Sequence, residues 1–323
     1  MEVFFTFLLI GGLFSAIFWY ALGGEGLLLP VFASAAALAA AAAVSAPTAI
    51  DTMVRVYQAK GMVTNLLSFL ISLNQIIGII LFGLIFCIFR VGTTHGIEIT
   101  QTEWVAISLG FGLILGLLFY LFLGGVQSEQ RLLLALIGIV VFSSGVAYYL
   151  HLSPLAINLF LGLVLGITSS TREKLLKVLL SLERPLYVLV LIFAGASWRF
   201  TLLDPLYIGI GLIALYTLVR ILGKYLGGWI AQRSSVEKET IPPRIGLGLV
   251  SHGAVAVAMA VNFQQVYDNA FTGIVVSCIL GSVIFSELFG QRLTRNILLD
   301  VSEVSIDKPS SDLSATRSEP TTS

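Results

Sequence analysis

The sequence predicts an all-α, polytopic membrane protein with about ten transmembrane helices. Of its 323 residues, 57% are hydrophobic and only 11% are charged, and the mean hydropathy is +0.96. A helix needs about 20 apolar residues to cross a hydrocarbon layer about 30 Å thick, and the chain contains many such runs. The runs lack the alternation that a lipid-facing strand needs, which excludes a β-barrel. The zero net charge gives no support to a nucleic-acid partner.

Hydropathy places ten segments in order along the chain. Their approximate bounds are 3–22, 26–50, 65–89, 104–124, 131–150, 154–169, 185–198, 205–231, 244–262 and 271–291. The first begins MEVFFTFLLIGG, without a basic leader or a small-residue cleavage site, so we interpret it as a membrane helix rather than a signal peptide. Residues 1–300 are predicted to form the transmembrane domain. The polar residues 301–323 cannot bury enough apolar surface to fold and are predicted to be a disordered tail.

Lysine and arginine residues are distributed unequally over the two sides that these segments define. One side carries fourteen of them: Arg55, Lys60, Arg131, Arg172, Lys174, Lys177, Arg184, Arg233, Lys238, Arg244, Arg292, Arg295, Lys308 and Arg317. The other side carries only Arg90 and Arg199, while Arg220 and Lys224 lie within a segment. Because basic loops stay in the cytoplasm, both termini and the tail are predicted to be cytoplasmic. The expected location is the plasma (inner) membrane.

The sequence SAPTAIDT, residues 45–52, interrupts the second segment. Pro47 removes a backbone donor, and the Thr48 hydroxyl can bond to a freed carbonyl. A helix interrupted at membrane depth exposes backbone groups that can face an ion. The alternative is a kinked helix or a helix end, with Asp51 already at the membrane surface.

Two adjacent amides, Asn74 and Gln75, lie in the middle of the third segment. They can act as packing contacts that hydrogen-bond to neighbouring helices. Adjacent helical residues point about 100° apart, so one helix interface does not serve both side chains. This geometry favours a polar cavity.

Arg220 and Lys224 are four residues apart, and hence on one helix face, inside the eighth segment. A cation within the membrane is unfavourable and therefore suggests a functional site. The alternative for Lys224 is that its long side chain extends so that the ammonium reaches the membrane surface. Arg220 lies deeper, so this alternative suits it less well.

Ser251, His252 and Gly253 form a polar point halfway along the ninth segment and suggest a second interrupted helix. His252 is a candidate proton carrier because imidazole titrates near neutral pH. The alternative is a packing histidine with satisfied hydrogen bonds.

The order of these features resembles the monovalent cation:proton antiporter family, the Na⁺/H⁺ and K⁺/H⁺ exchangers. SPLAINLFLGLVLG, PLYVLVLIFAGAS and LGKYLG are similar to three helices of that family, and the resemblance covers nearly the whole membrane region. It implies two inverted three-helix repeats, each with one interrupted helix, over residues 3–89 and 205–291. Residues 104–198 would form supporting panel helices. Family members are commonly dimers, so a homodimer is expected.

The chain departs from the family in three ways. It lacks the family's first helices, and Asn74-Gln75 stands where ion-transporting members carry an Asp-Asp or Asn-Asp pair. Lys224 matches the lysine that elsewhere pairs with one of those acids. Two possibilities follow for it here: burial without an acidic partner, or a pair with Asp51. His252-Gly253-Ala254 stands where the family often has Arg-Gly-Glu.

Two functions follow from the sequence. The first is a secondary transporter that exchanges protons for a monovalent cation, with Asn74, Gln75, Thr48, Asp51, Lys224, Ser251 and His252 as ion-site candidates. The second is a transport-inactive homologue that acts as a regulatory or scaffolding membrane subunit. An enzyme is not expected, because the sequence has no metalloprotease motif, paired intramembrane aspartates or nucleotide-binding loop. No cofactor and no metal site are expected, and the partners are the lipid bilayer, protons and the cation.

Overall fold

The computed structural model describes residues 1–21, 28–90, 99–123, 128–169, 172–198, 206–234 and 241–304. Within these ranges the chain is 86% helical and has no strands, which confirms the all-α class. The helices are α1 (Glu2–Ala21), α2 (Leu28–Ala43), α3 (Thr48–Val56), α4 (Met62–Ile88), α5 (Gln101–Leu123), α6 (Glu129–Tyr149), α7 (Pro154–Thr168), α8 (Arg172–Ser197), α9 (Leu206–Ser234), α10 (Ala254–Val266) and α11 (Thr272–Asp300). A 3₁₀ segment, Ile245–Leu249, precedes α10.

Among the described residues, seven helical stretches are long and apolar enough to cross a membrane, counting α2 and α3 together. The count rises to eight if the two parts of α8, which meet at an angle of 43° near Pro185, form one span. Helices α7 and α10 are shorter apolar helices at two further predicted positions. By their length and composition these helices indicate a multi-pass membrane protein, while the full count of ten remains a prediction.

Helix α8 begins earlier than the sequence predicted. The segment was expected at 185–198, after a cytoplasmic loop at 170–184, but the helix already begins at Arg172. Hydropathy does not detect its first turns because charged residues alternate with leucines there. An amphipathic helix can form at such a position without lying in lipid.

The alanine-rich α2 lies at the centre of the molecule. In the stretch Leu28–Val56, 72% of the most apolar window is buried, compared with 22% for α6. Alanine side chains allow neighbouring helices to approach closely, which provides packing where lipid supplies no hydrophobic driving force. Helices α1, α4, α10 and α11 all pack against α2, whereas α6 contacts mainly the panel helices α5, α7 and α8.

Helices α1 and α9 pack closely in antiparallel orientation. Phe14 contacts Tyr216 with ring centroids 5.8 Å apart, and at the other end of the pair Glu2 contacts Lys224. Gly227 permits this approach, since a Cβ atom there would lie 2.8 Å from the Cα atom of Glu2. The small residue on α9 thus determines where the first turn of α1 lies.

Both predicted interruptions are present. Helix α2 ends at Ala43 and α3 begins at Thr48, so we call residues 44–47 the first break. Residues 250–253, between the 3₁₀ segment and α10, form the second break. The two breaks touch, because the Ala46 amide donates to the Ser251 carbonyl over 2.9 Å. Gly253 is required by this contact, since a Cβ atom there would lie 2.6 Å from the Cβ atom of Ala46.

The end of α11 is tied to the beginning of α4. The Glu303 carboxylate accepts hydrogen bonds from the backbone amides of Val63 (2.8 Å) and Thr64 (2.7 Å) and from the Thr64 hydroxyl (2.7 Å). An acid at a helix N-terminus satisfies amides that have no intrahelical partner. Residues 305–323 of the predicted tail lie outside the described residues.

Candidate functional site

A buried ion pair joins α1 to α9 next to the first break. The ammonium of Lys224 lies 3.0 Å from Oε1 of Glu2, and the two side chains are 0% and 7% exposed. Lys224 also donates to the Ala43 carbonyl (3.1 Å) and the Ser45 hydroxyl (2.9 Å). All three ammonium protons therefore have acceptors, which is the arrangement that a charge excluded from water requires. Lys224 therefore has an acidic partner, which is Glu2 and not Asp51.

Asn74 belongs to the same cluster. Its amide nitrogen donates to Oε2 of Glu2 over 2.9 Å and to the Ser45 hydroxyl over 3.0 Å. The Thr6 hydroxyl lies 3.4 Å from Oε1 of Glu2. Thus an acid, a lysine and an amide from three separate helices meet at the polar end of the first break.

Arg220 lies between the two breaks. Its guanidinium donates to carbonyls of Ala42 (3.2 Å) and Val44 (3.0 Å) on one side and of Val250 (2.5 Å) and Ser251 (3.4 Å) on the other. These carbonyls end α2 and follow the 3₁₀ segment, where the backbone dipole favours a positive charge. The residue is 1% exposed, so it acts as a fixed internal cation.

His252 is fully buried against α2. Its Nε2 lies 2.8 Å from the Ala41 carbonyl oxygen, which can only accept, so Nε2 carries the proton. Nδ1 has no hydrogen-bond partner among the described residues. His252 does not line either of the two cavities described below.

Beyond Pro47, an open cavity of about 770 Å³ lies between α3, α8, α10 and α11. Three acids and one arginine line it: Asp51, Glu183, Glu287 and Arg55. We call it the acidic cavity. At its inner end the Thr48 hydroxyl lies 2.9 Å from the Ser251 hydroxyl and 3.4 Å from Oε1 of Glu287. Asp51 is half-exposed and 4.0 Å from Arg55.

The two adjacent amides face different places. Gln75 lines the acidic cavity, whereas Asn74 is buried beside Glu2. The two amides therefore do not share one polar cavity. The physical reason is the angle of about 100° between successive helical residues, which turns the two side chains to different faces of α4.

A second cavity, of about 260 Å³, reaches the ion pair. Glu2, Asn74 and Gln232 supply its polar side chains, and the remaining lining is Met1, Val3, Leu66, Leu70, Leu73, Ile77, Gly228, Ala231, Ile241, Ile245 and Leu249. We call it the apolar cavity. It shares no lining residue with the acidic cavity.

Sequence reasoning missed two acids that complete this arrangement. Glu2 and Glu287 both lie within or at the edge of predicted apolar segments, and an acid in such a position is itself a functional signal. That signal was available in MEVFF and IFSELFG. Among the described residues, no group of three or more His, Cys, Asp or Glu side chains is placed to hold a metal ion.

No protein-family model matches the chain, and no curated protein is similar to it at a significant level. The resemblance to cation:proton antiporters therefore rests on the order of motifs in the sequence.

Proposed function

We propose that this protein is a secondary transporter that exchanges protons for a monovalent cation. The observation that carries the proposal is the contact between two interrupted apolar helices, with a buried Glu2–Lys224 pair on one side and an acidic cavity on the other. Interrupted helices that meet within a membrane are a recurrent way to build ion sites in transporters.

The proposed architecture contains two inverted repeats. The first comprises α1, the interrupted α2–α3 and α4; the second comprises α9, the interrupted stretch from the 3₁₀ segment through α10, and α11. Helices α5–α8 then form the supporting panel. The fourteen-to-two distribution of basic residues supports cytoplasmic termini and opposite directions for the two interrupted helices.

The chemistry requires groups that attract a cation and groups that take up a proton. Three carboxylates against one guanidinium give the acidic cavity a negative potential, which raises the local concentration of cations. Hydroxyls of Thr48 and Ser251 and the carboxylate of Glu287 offer the oxygen ligands that alkali cations prefer. Glu2 supplies a carboxylate that can hold a proton in place of its bond to Lys224.

A transport-inactive subunit remains the second candidate, and one observation favours it. Arg220 and Lys224 place two permanent donors on the carbonyls at the contact of the breaks, so cations of the protein already occupy those oxygens. In a subunit that does not transport ions, these bonds of Arg220 and Lys224 would serve to stabilise the fold.

The test is ion flux in proteoliposomes that contain a pH-sensitive dye. An outward sodium or potassium gradient should drive proton uptake in the parent, compared with choline at equal ionic strength. Glu287→Gln should raise the cation concentration needed for half-maximal flux. The matched control, Glu129→Gln, changes an acid in an exposed pair with Lys177 and should behave as the parent. Absence of cation-driven proton movement in a folded parent would contradict exchange and support the inactive subunit.

A further inference from the structure

The two cavities approach the polar region from different sides. Asn74 borders the apolar cavity and Gln75 the acidic cavity, so α4 separates them. The first break forms the rest of the wall, because Ser45 contacts Lys224 on one side and Thr48 contacts Glu287 on the other. Between Ser45 and Thr48 in the chain, the Ala46 amide donates to the Ser251 carbonyl, so the second break contacts the first at this point.

We propose that protons reach and bind Glu2 through the apolar cavity, separately from the cation, which is held in the acidic cavity. This inference rests on the proposed exchange function and adds to it a division of the two ligands between two places. It assigns Glu2 as the proton site and the Thr48–Glu287 end of the acidic cavity as the cation site.

The lining of each cavity determines what can enter it. An alkali cation there would have Leu66, Leu70 and Ile77 as neighbours and Glu2 as the single acidic side chain among the lining residues, so the protein offers it few oxygen ligands. A volume of 260 Å³ has room for several water molecules, each of which takes up about 30 Å³ in the liquid. Water can deliver a proton through such a space without any cation entering.

The proton step is simple. One proton, delivered as hydronium, adds to the Glu2 carboxylate and leaves a water molecule behind. The ion pair with Lys224 becomes a neutral acid beside an ammonium, so the pair gains one positive charge. Lys224 keeps its bonds to the Ala43 carbonyl and the Ser45 hydroxyl. Among the described residues, Arg220 on α9 also acts electrostatically on Glu2, and His252 interacts with Arg220 and Lys224.

Coupling then passes through the first break. Ser45 touches Lys224 and Asn74, and Thr48, three residues further on, touches Ser251 and Glu287. Protonation of Glu2 weakens the bond that it accepts from Asn74, so the second bond of Asn74, to Ser45, changes. The short non-helical stretch before Thr48 then carries that change to Thr48. Proton and cation therefore influence each other without competing for one carboxylate.

The experiment measures cation binding and proton binding separately in purified protein. Cation binding is read from the thermal midpoint in sodium or potassium chloride against choline chloride, and proton binding from the infrared carboxyl band during a pH titration. The variants are Glu287→Gln and the charge-balanced Glu2→Gln/Lys224→Met, with Glu129→Gln as the control. We expect the double variant to lose a carboxyl band and keep the cation-dependent shift. Glu287→Gln should keep the Glu2 band and lose the shift.

Loss of the cation-dependent shift in a folded double variant would overturn the separation, because Glu2 would then serve both ligands. If the parent shows no cation-dependent shift and no flux, the proposed exchange fails. In that case the infrared titration still tests Glu2 as a proton site. A carboxyl band that titrates in the parent and is missing from the double variant supports Glu2 as the proton site. A parent without such a band overturns it.

A second measurement covers a double variant that does not fold. Cysteines at Thr52, in the acidic cavity, and at Leu70, in the apolar cavity, are introduced singly after replacing Cys87 and Cys278 by alanine. Sodium or potassium should slow the modification of Thr52→Cys by a charged thiol reagent and leave Leu70→Cys unaffected. Equal protection of both cysteines would overturn the separation.

Discussion

At the residue scale, the contact between Glu2 and Lys224 changes what a substitution of the lysine should do. An isolated buried lysine would be replaced by methionine without loss, but a paired one leaves an uncompensated carboxylate behind. We expect Lys224→Met alone to destabilise the protein by about 3 kcal/mol or more, seen as a lower thermal midpoint in detergent.

The matched control for this prediction is Lys177→Met. Lys177 pairs with Glu129 at 3.3 Å, a similar distance to the buried pair, but its side chain is 77% exposed. Exposed pairs contribute little because water and salt screen them. Equal midpoints for Lys224→Met and the parent would show that the buried pair does not exist.

Replacement by aspartate should affect the stability of the protein differently at the two adjacent amides. Asn74→Asp places a second carboxylate against Glu2 and removes the donor that now bonds to it, so the thermal midpoint should fall clearly at neutral pH. Gln75→Asp adds an acid to the acidic cavity, away from Glu2, and should leave the midpoint near that of the parent. Similar losses in both variants would contradict the placement of the two side chains in separate cavities.

At the element scale, the approach of α1 to α9 depends on Gly227. Alanine at a helix interior is favoured over glycine by about 1 kcal/mol. At Gly227 the added methyl would press on the backbone of Glu2, and overpacking of this kind costs about 1–3 kcal/mol. We expect Gly227→Ala to lower the thermal midpoint.

Gly138→Ala is the control, since nothing lies within 4 Å of the position where its Cβ would be. There the helix preference acts alone, so the midpoint should stay or rise. A rise in both variants would mean that α1 and α9 are not in close contact at Glu2.

The sequence predicted elements better than their contacts. Ten apolar segments and breaks near Pro47 and Gly253 follow from local composition, and helices or breaks occur at those positions. The partner of Lys224 could not be predicted from the sequence. Glu2 is 222 residues away, and hydropathy does not indicate which helices are in contact. The separation of Asn74 from Gln75 was partly predictable, because the angle between successive residues on a helix is known. Which residues of other helices lie next to each amide could not be predicted.

At the scale of the whole molecule, the distribution of basic residues predicts the orientation. Residues 91–103 should face outside, whereas 170–184 and 233–243 should face the cytoplasm. Single cysteines at Thr94 and Ser235, after replacing Cys87 and Cys278 by alanine, should react with an impermeant thiol reagent from opposite sides of sealed vesicles. Both positions lie outside the described residues, so labelling is independent of the structure. Labelling from the same side would contradict the ten-segment topology.

The arrangement of the whole molecule depends most on the Glu2–Lys224 ion pair between α1 and α9, which brings the two halves of the chain together at the breaks. A double-mutant cycle at Glu2 and Lys224 isolates that link from other effects of each substitution. The cycle compares the parent, Glu2→Gln, Lys224→Met and the double variant by thermal midpoint. Cation-driven proton flux is measured on each folded variant.

We expect the double variant to be more stable than either single variant, with a coupling free energy above about 1 kcal/mol. None of the three variants should move protons in exchange for cations. Additive effects on stability, or exchange at the parent's rate in the double variant, would contradict the claim that this buried pair organises the site.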